Sequence, residues 1–231
     1  MITIREGSQR GHFNHGWLDT YHTFSFGEYM DRDHIQFRAL RVMNEDRIAP
    51  KTGFPNHPHQ DMEILTYPLS GRLTHQDSMG HRQEVSHGQV QYMSAGTGVF
   101  HSEANESDQE VHLYQIWILP DLSGHPPQYG QRDFPVLRQP GQWIPIATPD
   151  GAQDSIRIHQ DASLLAAVVP SGGTLTWRFA PGRYGWLQVA RGRVSLNGQL
   201  LEAGDGAALT HEPDMELNAP TEAEVLLFDL G

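Results

Sequence analysis

The chain has 231 residues, enough to bury a sizeable core as one large or two small domains. It contains no cysteine, which excludes disulfides and thiolate ligands and leaves histidine and carboxylate side chains as the only means of holding a metal. A formal net charge of −12 with no cluster of Lys and Arg argues against nucleic acid as a direct ligand, and the opening Met-Ile-Thr-Ile-Arg-Glu lacks both the basic region and the apolar core of a secretion signal or membrane anchor, so the expected setting is soluble and cytoplasmic.

The 23 glycines and 15 prolines, with apolar runs that are mostly short and bounded by turn residues, point to an all-β chain, and no segment of helical period stands out. In residues 1–50, His12, His15 and His22 are spaced by three and seven, which suits neither one strand face nor one helix face. They are read as hydrogen-bonded or surface histidines. Phe37 to Met43 alternates well enough to be a strand.

The stretch from residue 53 to 105 carries the chemistry. It begins Gly53-Phe-Pro-Asn-His57-Pro-His59-Gln-Asp-Met-Glu63 and closes Gly96-Thr-Gly98-Val-Phe-His101-Ser-Glu103-Ala-Asn105. Positions i and i+2 of a strand share a face, with their Cα atoms roughly 6.6 Å apart, so His57 and His59 can converge on one ion. His101 and Glu103 repeat the spacing. Two such pairs on neighbouring strands supply nitrogens and a carboxylate oxygen, a donor set suited to iron(II), manganese, cobalt, nickel or zinc. For the carboxylate, Glu63 would lie roughly 13 Å beyond His59 on a straight strand and needs a bend to return. Glu103 needs none, so it is taken first and Glu63 second.

Glu63 to Gly71 reads as a strand ending in a turn, with Arg72 to Asp77 as its return partner, and Pro68 marks an edge or a bulge. Asp77 to Gly88 is polar, with two glycines, and reads as a loop, so that His75, His81 and His87 are expected to be solvated. Val111 to Leu119 is the strongest strand of the chain. His112 and Gln115 fall on its opposite faces, so at most one of them points inward. Residues 120–145 hold six prolines and read as a crossover or linker. Residues 185–209 then repeat the strand, turn and hairpin grammar, with Asn197-Gly198 as a two-residue type I′ turn, but contain no His-x-His.

Gly53, His57-x-His59, Glu63 and Gly71 resemble the first cupin motif, and Gly88 with Gly98-x-x-His101-x-x-x-Asn105 resembles the second. The departures are the three-residue gap between Gly53 and His57, and Gly96 where cupins carry proline. Thr74-His-Gln-Asp-Ser-Met-Gly80, Met93-Ser-Ala-Gly-Thr-Gly98, His101-Ser-Glu103 and Leu113-Tyr-Gln-Ile-Trp117 are more specific and are similar to the pirin family, over nearly the whole chain.

That resemblance implies a bicupin of two double-stranded β-helix (jelly-roll) barrels. The expected division is a metal-binding cupin over residues 1–135 and a degenerate cupin without metal over 136–231. It also places the carboxylate ligand two residues after the last histidine, which assigns His57, His59, His101 and Glu103 to one divalent transition metal. Iron(II) comes first, with Zn, Mn, Co, Ni or Cu as alternatives. Gln115 becomes a pocket residue, and Glu103, or Glu63 if it is free, the acceptor of a substrate proton. The implied activity is that of the bacterial pirin-like quercetin 2,3-dioxygenases, in which a flavonol and dioxygen react with release of carbon monoxide. The same resemblance carries a second reading, a metal- and redox-dependent regulator acting through a protein partner, and the scaffold admits another phenolic or carbonyl substrate.

Overall fold

The computed structural model describes residues 1–231. The first strand is β1 (Ile2–Arg5), followed by β2 (Gly11–Asn14), β3 (Leu18–His22), β4 (Leu40–Ile48), β5 (Thr52–His59) and β6 (Glu63–Ser70). Next come β7 (Arg72–Asp77), β8 (Arg82–Ser86), β9 (Gln89–Ser94), β10 (Val99–Asn105), β11 (Val111–Ile118) and β12 (Gln128–Asp133). The remainder holds β13 (Ile144–Thr148), β14 (Ile156–Arg157), β15 (Ala162–Val169), β16 (Thr174–Arg178), β17 (Tyr184–Arg191), β18 (Arg193–Leu196), β19 (Gln199–Glu202), β20 (Gly206–Leu209), β21 (Asp214–Asn218) and β22 (Ala223–Leu230). Helical structure is confined to short 3₁₀ turns, so the chain is all-β.

Two compact units result, one of residues Gly11–Asp133 with Ile158–Gln160, the other of Met1–Arg10, Phe134–Arg157 and Asp161–Gly231. Residues 1–10 thus lie with the C-terminal half, a placement that no division by sequence order expresses. In the first unit a seven-stranded sheet, β12-β9-β6-β11-β4-β3-β2, faces a four-stranded sheet, β5-β10-β7-β8. Inward residues of both sheets share a core, Leu18, Ile48, Val111 and Leu113 from the larger and Leu73 and Val85 from the smaller. Each such side chain contributes roughly 1.5–3 kcal/mol by leaving water. The second unit repeats the plan with β1-β20-β17-β22-β15-β13-β14 and β16-β21-β18-β19. Its β22 is buried at every position, as a strand covered on both faces requires. Hairpin β18–β19 closes through Asn197 and Gly198, at φ 46° and 87°, as the type I′ dipeptide predicts.

Several expectations change. The strand predicted over Phe37–Met43 starts at Leu40, because Arg38 at φ 53° and the Phe37–Leu40 bridge make a tight turn first. It runs on to Ile48 because β3 and β11 flank it on both sides. Strand β7 is not the hydrogen-bonded partner of β6. The turn at Gly71 carries the chain into the other sheet, where β7 lies between β10 and β8. Pro68 does sit at a bulge, where the pairing of β11 with β6 slips between His112 and Leu113. The supposed loop after Asp77 contains β8, whose Arg82, Gln83 and Glu84 are exposed, a charged edge strand that hides its own signal. Residues 120–145 contain β12, which adds to the sheet only as an edge.

Candidate metal centre

The centre is built on the pairing of β5 with β10. Along this ladder His59 faces Val99, His57 faces His101 and Phe54 faces Glu103, with an irregularity between His101 and Glu103. The extra β5 residue at Pro55-Asn56 is a bulge, which re-aims a strand locally. On β10 the inward side chains His101, Glu103 and Asn105 are 1%, 3% and 0% exposed. Asn105 anchors the strand end by donating through Nδ2 to the carbonyls of Ile48 and Gln109, at 3.0 and 2.7 Å. Gly53 is required here because a Cβ would stand 2.2 Å from the Glu103 carbonyl oxygen and prevent the two strands from closing. Gly96, where cupins carry proline, has φ 46°, which a proline ring forbids, and a Cβ there would meet the His125 carbonyl at 2.0 Å.

The three histidines converge. Ring centroids are 4.4 Å apart for His57–His101 and 4.8 Å for both His59–His101 and His57–His59, and their ligand atoms all lie within 4.8 Å of one another. His57 Nδ1 lies 2.8 Å from the Pro55 carbonyl, to which it can only donate, leaving Nε2 with its lone pair. His101 Nε2 is buried with no hydrogen-bond partner, the kind of orphaned nitrogen that a cation satisfies. Burial, then the neighbouring His101 and His57, push the His59 pKa down to about 4, and burial with His57 and His75 push that of His101 down to about 3. Both are therefore neutral imidazoles at physiological pH, the form that ligates metals. The donor set fits a divalent transition ion.

Glu103 lines the same cavity as His57 and His59 but lies outside the group that those two form with His101; its ligand atom falls within 4.8 Å of those of His101 and the buried His75 instead. Its oxygens accept from Gln115 Nε2 at 3.1 and 2.9 Å and lie 3.4 Å from Thr66 Oγ1. The opposite wall carries His22, Asn44 and Gln115, a row in register across three strands that Thr66 continues on a fourth without lining the cavity. The rest of the lining of this cavity of about 400 Å³ is mostly apolar, with Leu18, Phe26, Phe54 and Trp117, and includes Thr20. Asp46 also lines it, and burial, opposed by the Thr20 hydrogen bond and reinforced by the charges of Glu103 and Glu45, raises its carboxyl to about 7.

Glu63 is not brought to this cavity. It is 1% exposed and accepts from Tyr92 Oη at 2.5 Å, Ser94 Oγ at 2.7 Å and the His159 backbone N–H at 3.0 Å. With its oxygens so occupied it is not free to act as the base expected of it in second place. Of the amino-terminal histidines, His12 pairs with Asp19 at 2.6 Å as an exposed side chain, whereas His22 lines the cavity. His112 turns to Glu45, 2.9 Å away. The expectation of a solvated His75 is overturned. It is fully buried, 3.4 Å from His101, because β7 is an inner strand of its sheet and not the flank of a loop.

Fold and site together define a bicupin with a candidate metal centre in one barrel. Residues 3–118 match the model of the Pirin family, and residues 145–230 match that of the quercetinase C-terminal cupin domain. The chain belongs to the pirin family. It is 46% identical over 231 residues to the quercetin 2,3-dioxygenase of Escherichia coli K12, covering 100% of this chain and 99% of that one. It is 41% identical to a pirin-like protein of Caulobacter vibrioides, covering 99% of each. Among solved structures it resembles the bacterial pirin YhhW of Escherichia coli in complex with nickel(II), with TM-score 0.95 and 44% identity over 100% of this chain and 99% of that one.

Proposed function

We propose that this chain is a metal-dependent dioxygenase of flavonols such as quercetin, with one divalent transition metal held by His57, His59, His101 and Glu103. The observation that carries the reading is a largely apolar cavity lined by His57, His59 and Glu103, with His101 converging on the two histidines. Its volume of about 400 Å³ lies within the roughly 300–1,000 Å³ of small-molecule sites. Relatives over the full chain named quercetin 2,3-dioxygenase, and one in complex with nickel(II), support it. Iron(II) is the ion assigned first, and nickel(II) follows. Such an ion supplies Lewis acidity and a template on which a 3-hydroxy-4-carbonyl unit and dioxygen meet.

The rest is done by the chain's own residues. Phe26, Phe54 and Trp117 bury the aromatic body of the ligand and exclude water. Glu103 accepts the proton of the 3-hydroxyl, and Gln115 holds that carboxylate in place. The second cupin, within residues 136–231, has no counterpart of the His57-x-His59 pair, and its role is structural.

The test is oxygen uptake and carbon monoxide release by metal-loaded protein with quercetin. Turnover should fall sharply in His57→Ala and His59→Ala and vanish for flavones that lack the 3-hydroxyl. Uptake no greater than that of free metal in buffer would overturn the dioxygenase reading in favour of the regulatory one.

A further inference from the structure

We infer that Asp77 and His75 form a buried hydrogen-bond relay that fixes His101 as its Nδ1–H tautomer and so directs the Nε2 lone pair of His101 at the metal. The inference rests on the metal reading above, and the two residues are positioning groups: neither reaches the cavity.

The relay begins at a carboxylate whose own orientation is settled. Asp77 Oδ1 accepts from the backbone N–H of Met79 at 2.9 Å and of His81 at 3.0 Å, and Oδ2 lies 3.0 Å from His75 Nε2 and from His81 Nδ1. Burial works to raise this carboxyl, but the hydrogen bonds from His75 and His81 outweigh it and hold it below the usual carboxylate range. An ionised carboxylate has no proton to donate, so the proton of the Asp77–His75 bond resides on His75 Nε2. A His75 ring with one N–H therefore carries it on Nε2, facing Asp77, and presents Nδ1 as a bare acceptor.

That acceptor faces His101 Nδ1 at 3.4 Å, and one of two nitrogens sharing a hydrogen bond must donate. It is His101, and its Nε2 is then the atom with the lone pair. This is the atom found buried without a partner. The strand register makes the arrangement: along β10 and β7, His101 pairs with Asp77 and Glu103 with His75, so both inner pairs stand side by side. His57 reaches the same tautomer by a shorter route, through the Pro55 carbonyl. Carboxylate–histidine partners of this kind typically change metal affinity by about 10–100-fold when removed.

The test uses the full chain at pH 8. In metal-free protein labelled with ¹⁵N-histidine, long-range ¹H–¹⁵N spectra, assigned by loss of signals in His101→Ala, should show His101 as the Nδ1–H tautomer. An Nε2–H tautomer overturns the inference whatever the variants do. Zinc affinity, measured by chelator competition, should weaken about 10–100-fold in His75→Phe and stay within about threefold of wild type in His75→Gln, whose amide can both accept from His101 and donate to Asp77. Unchanged affinity in His75→Phe, or equal losses in both variants, would reduce His75 to packing and overturn the inference. Wild-type protein that binds neither zinc nor nickel would defeat the metal reading itself, while the tautomer spectrum would still decide the relay. Should His75→Phe fail to fold, that spectrum and the His75→Gln comparison suffice.

Discussion

Gln115 Nε2 donates to both oxygens of Glu103, at 3.1 and 2.9 Å, while Thr66 Oγ1 donates to Gln115 Oε1 at 3.0 Å. The amide is thereby oriented from both ends, and it in turn holds the carboxylate at the cavity wall. Replacing Gln115 by Leu removes both donors without touching a ligand. Chelator competition should show metal dissociation about tenfold or more easier, and the metal-free protein should unfold at a lower temperature because the buried Glu103 carboxylate loses its amide donor.

The two carboxylates should separate by what they lose. Glu103→Gln removes an anionic donor from the centre, so metal content of protein purified without added metal should drop well below that of Glu63→Gln. Glu63→Gln instead keeps an oxygen for Tyr92 Oη and the His159 N–H but turns its N–H₂ towards Ser94 Oγ and His159 Nδ1, which must reverse from donating to accepting inside a buried network, at a cost of roughly 1–3 kcal/mol. Calorimetry should register this as a lower unfolding temperature with metal retained. The reverse pattern would move the ligand role to Glu63.

Asp46 sets a pH dependence of stability. Its folded pKa of about 7 lies above the ordinary 3.8, so the unfolded chain ionises first as pH rises. Stability of the metal-free protein should therefore be greatest below about pH 4 as far as this group is concerned, and decline through to pH 7, by on the order of a few kcal/mol. Asp46→Asn should flatten that decline in urea titrations run from pH 5 to 8. An identical slope in the variant would mean that the carboxyl is not perturbed.

Gly53→Ala introduces a single methyl group, yet its position 2.2 Å from the Glu103 carbonyl oxygen forces β5 away from β10. We expect loss of metal together with destabilisation of about 1–3 kcal/mol from overpacking, read by metal analysis and by chemical denaturation. A variant that keeps the metal would show that the ladder yields without disturbing the histidines.

Most of this was legible where the signal is local. The alternation of His57 with His59 and of His101 with Glu103 identifies one face of each strand, and those side chains do meet or share one cavity. The type I′ turn at Asn197-Gly198 is equally local. What stayed hidden depends on which strand lies beside which. His75 looks like any polar residue near a turn, and only the placement of β7 between β10 and β8 buries it against His101. His22 and Asp46 join the cavity through the register of β3 with β4, which spacing along the chain does not encode. Glu63 follows the cupin motif in sequence and is nevertheless absorbed by Tyr92, Ser94 and His159, the last of them distant in the chain.

The pairing of β1 with β20 sets a timetable for synthesis. Ile2 aligns with Leu209 and Arg5 with Gly206, so this strand leaves the ribosome long before its partner has been made. At roughly 5–20 residues per second that wait is on the order of ten seconds or more. Throughout it, β1 is a free strand with two inward isoleucines, Ile2 and Ile4, and nothing to cover them. The intervening Gly11–Asp133 segment, whose strands all find their ladder partners within it, can be complete well before then. A ribosome-stalling series should accordingly find the histidine-bearing barrel protease-resistant while the amino-terminal strand is still cleavable.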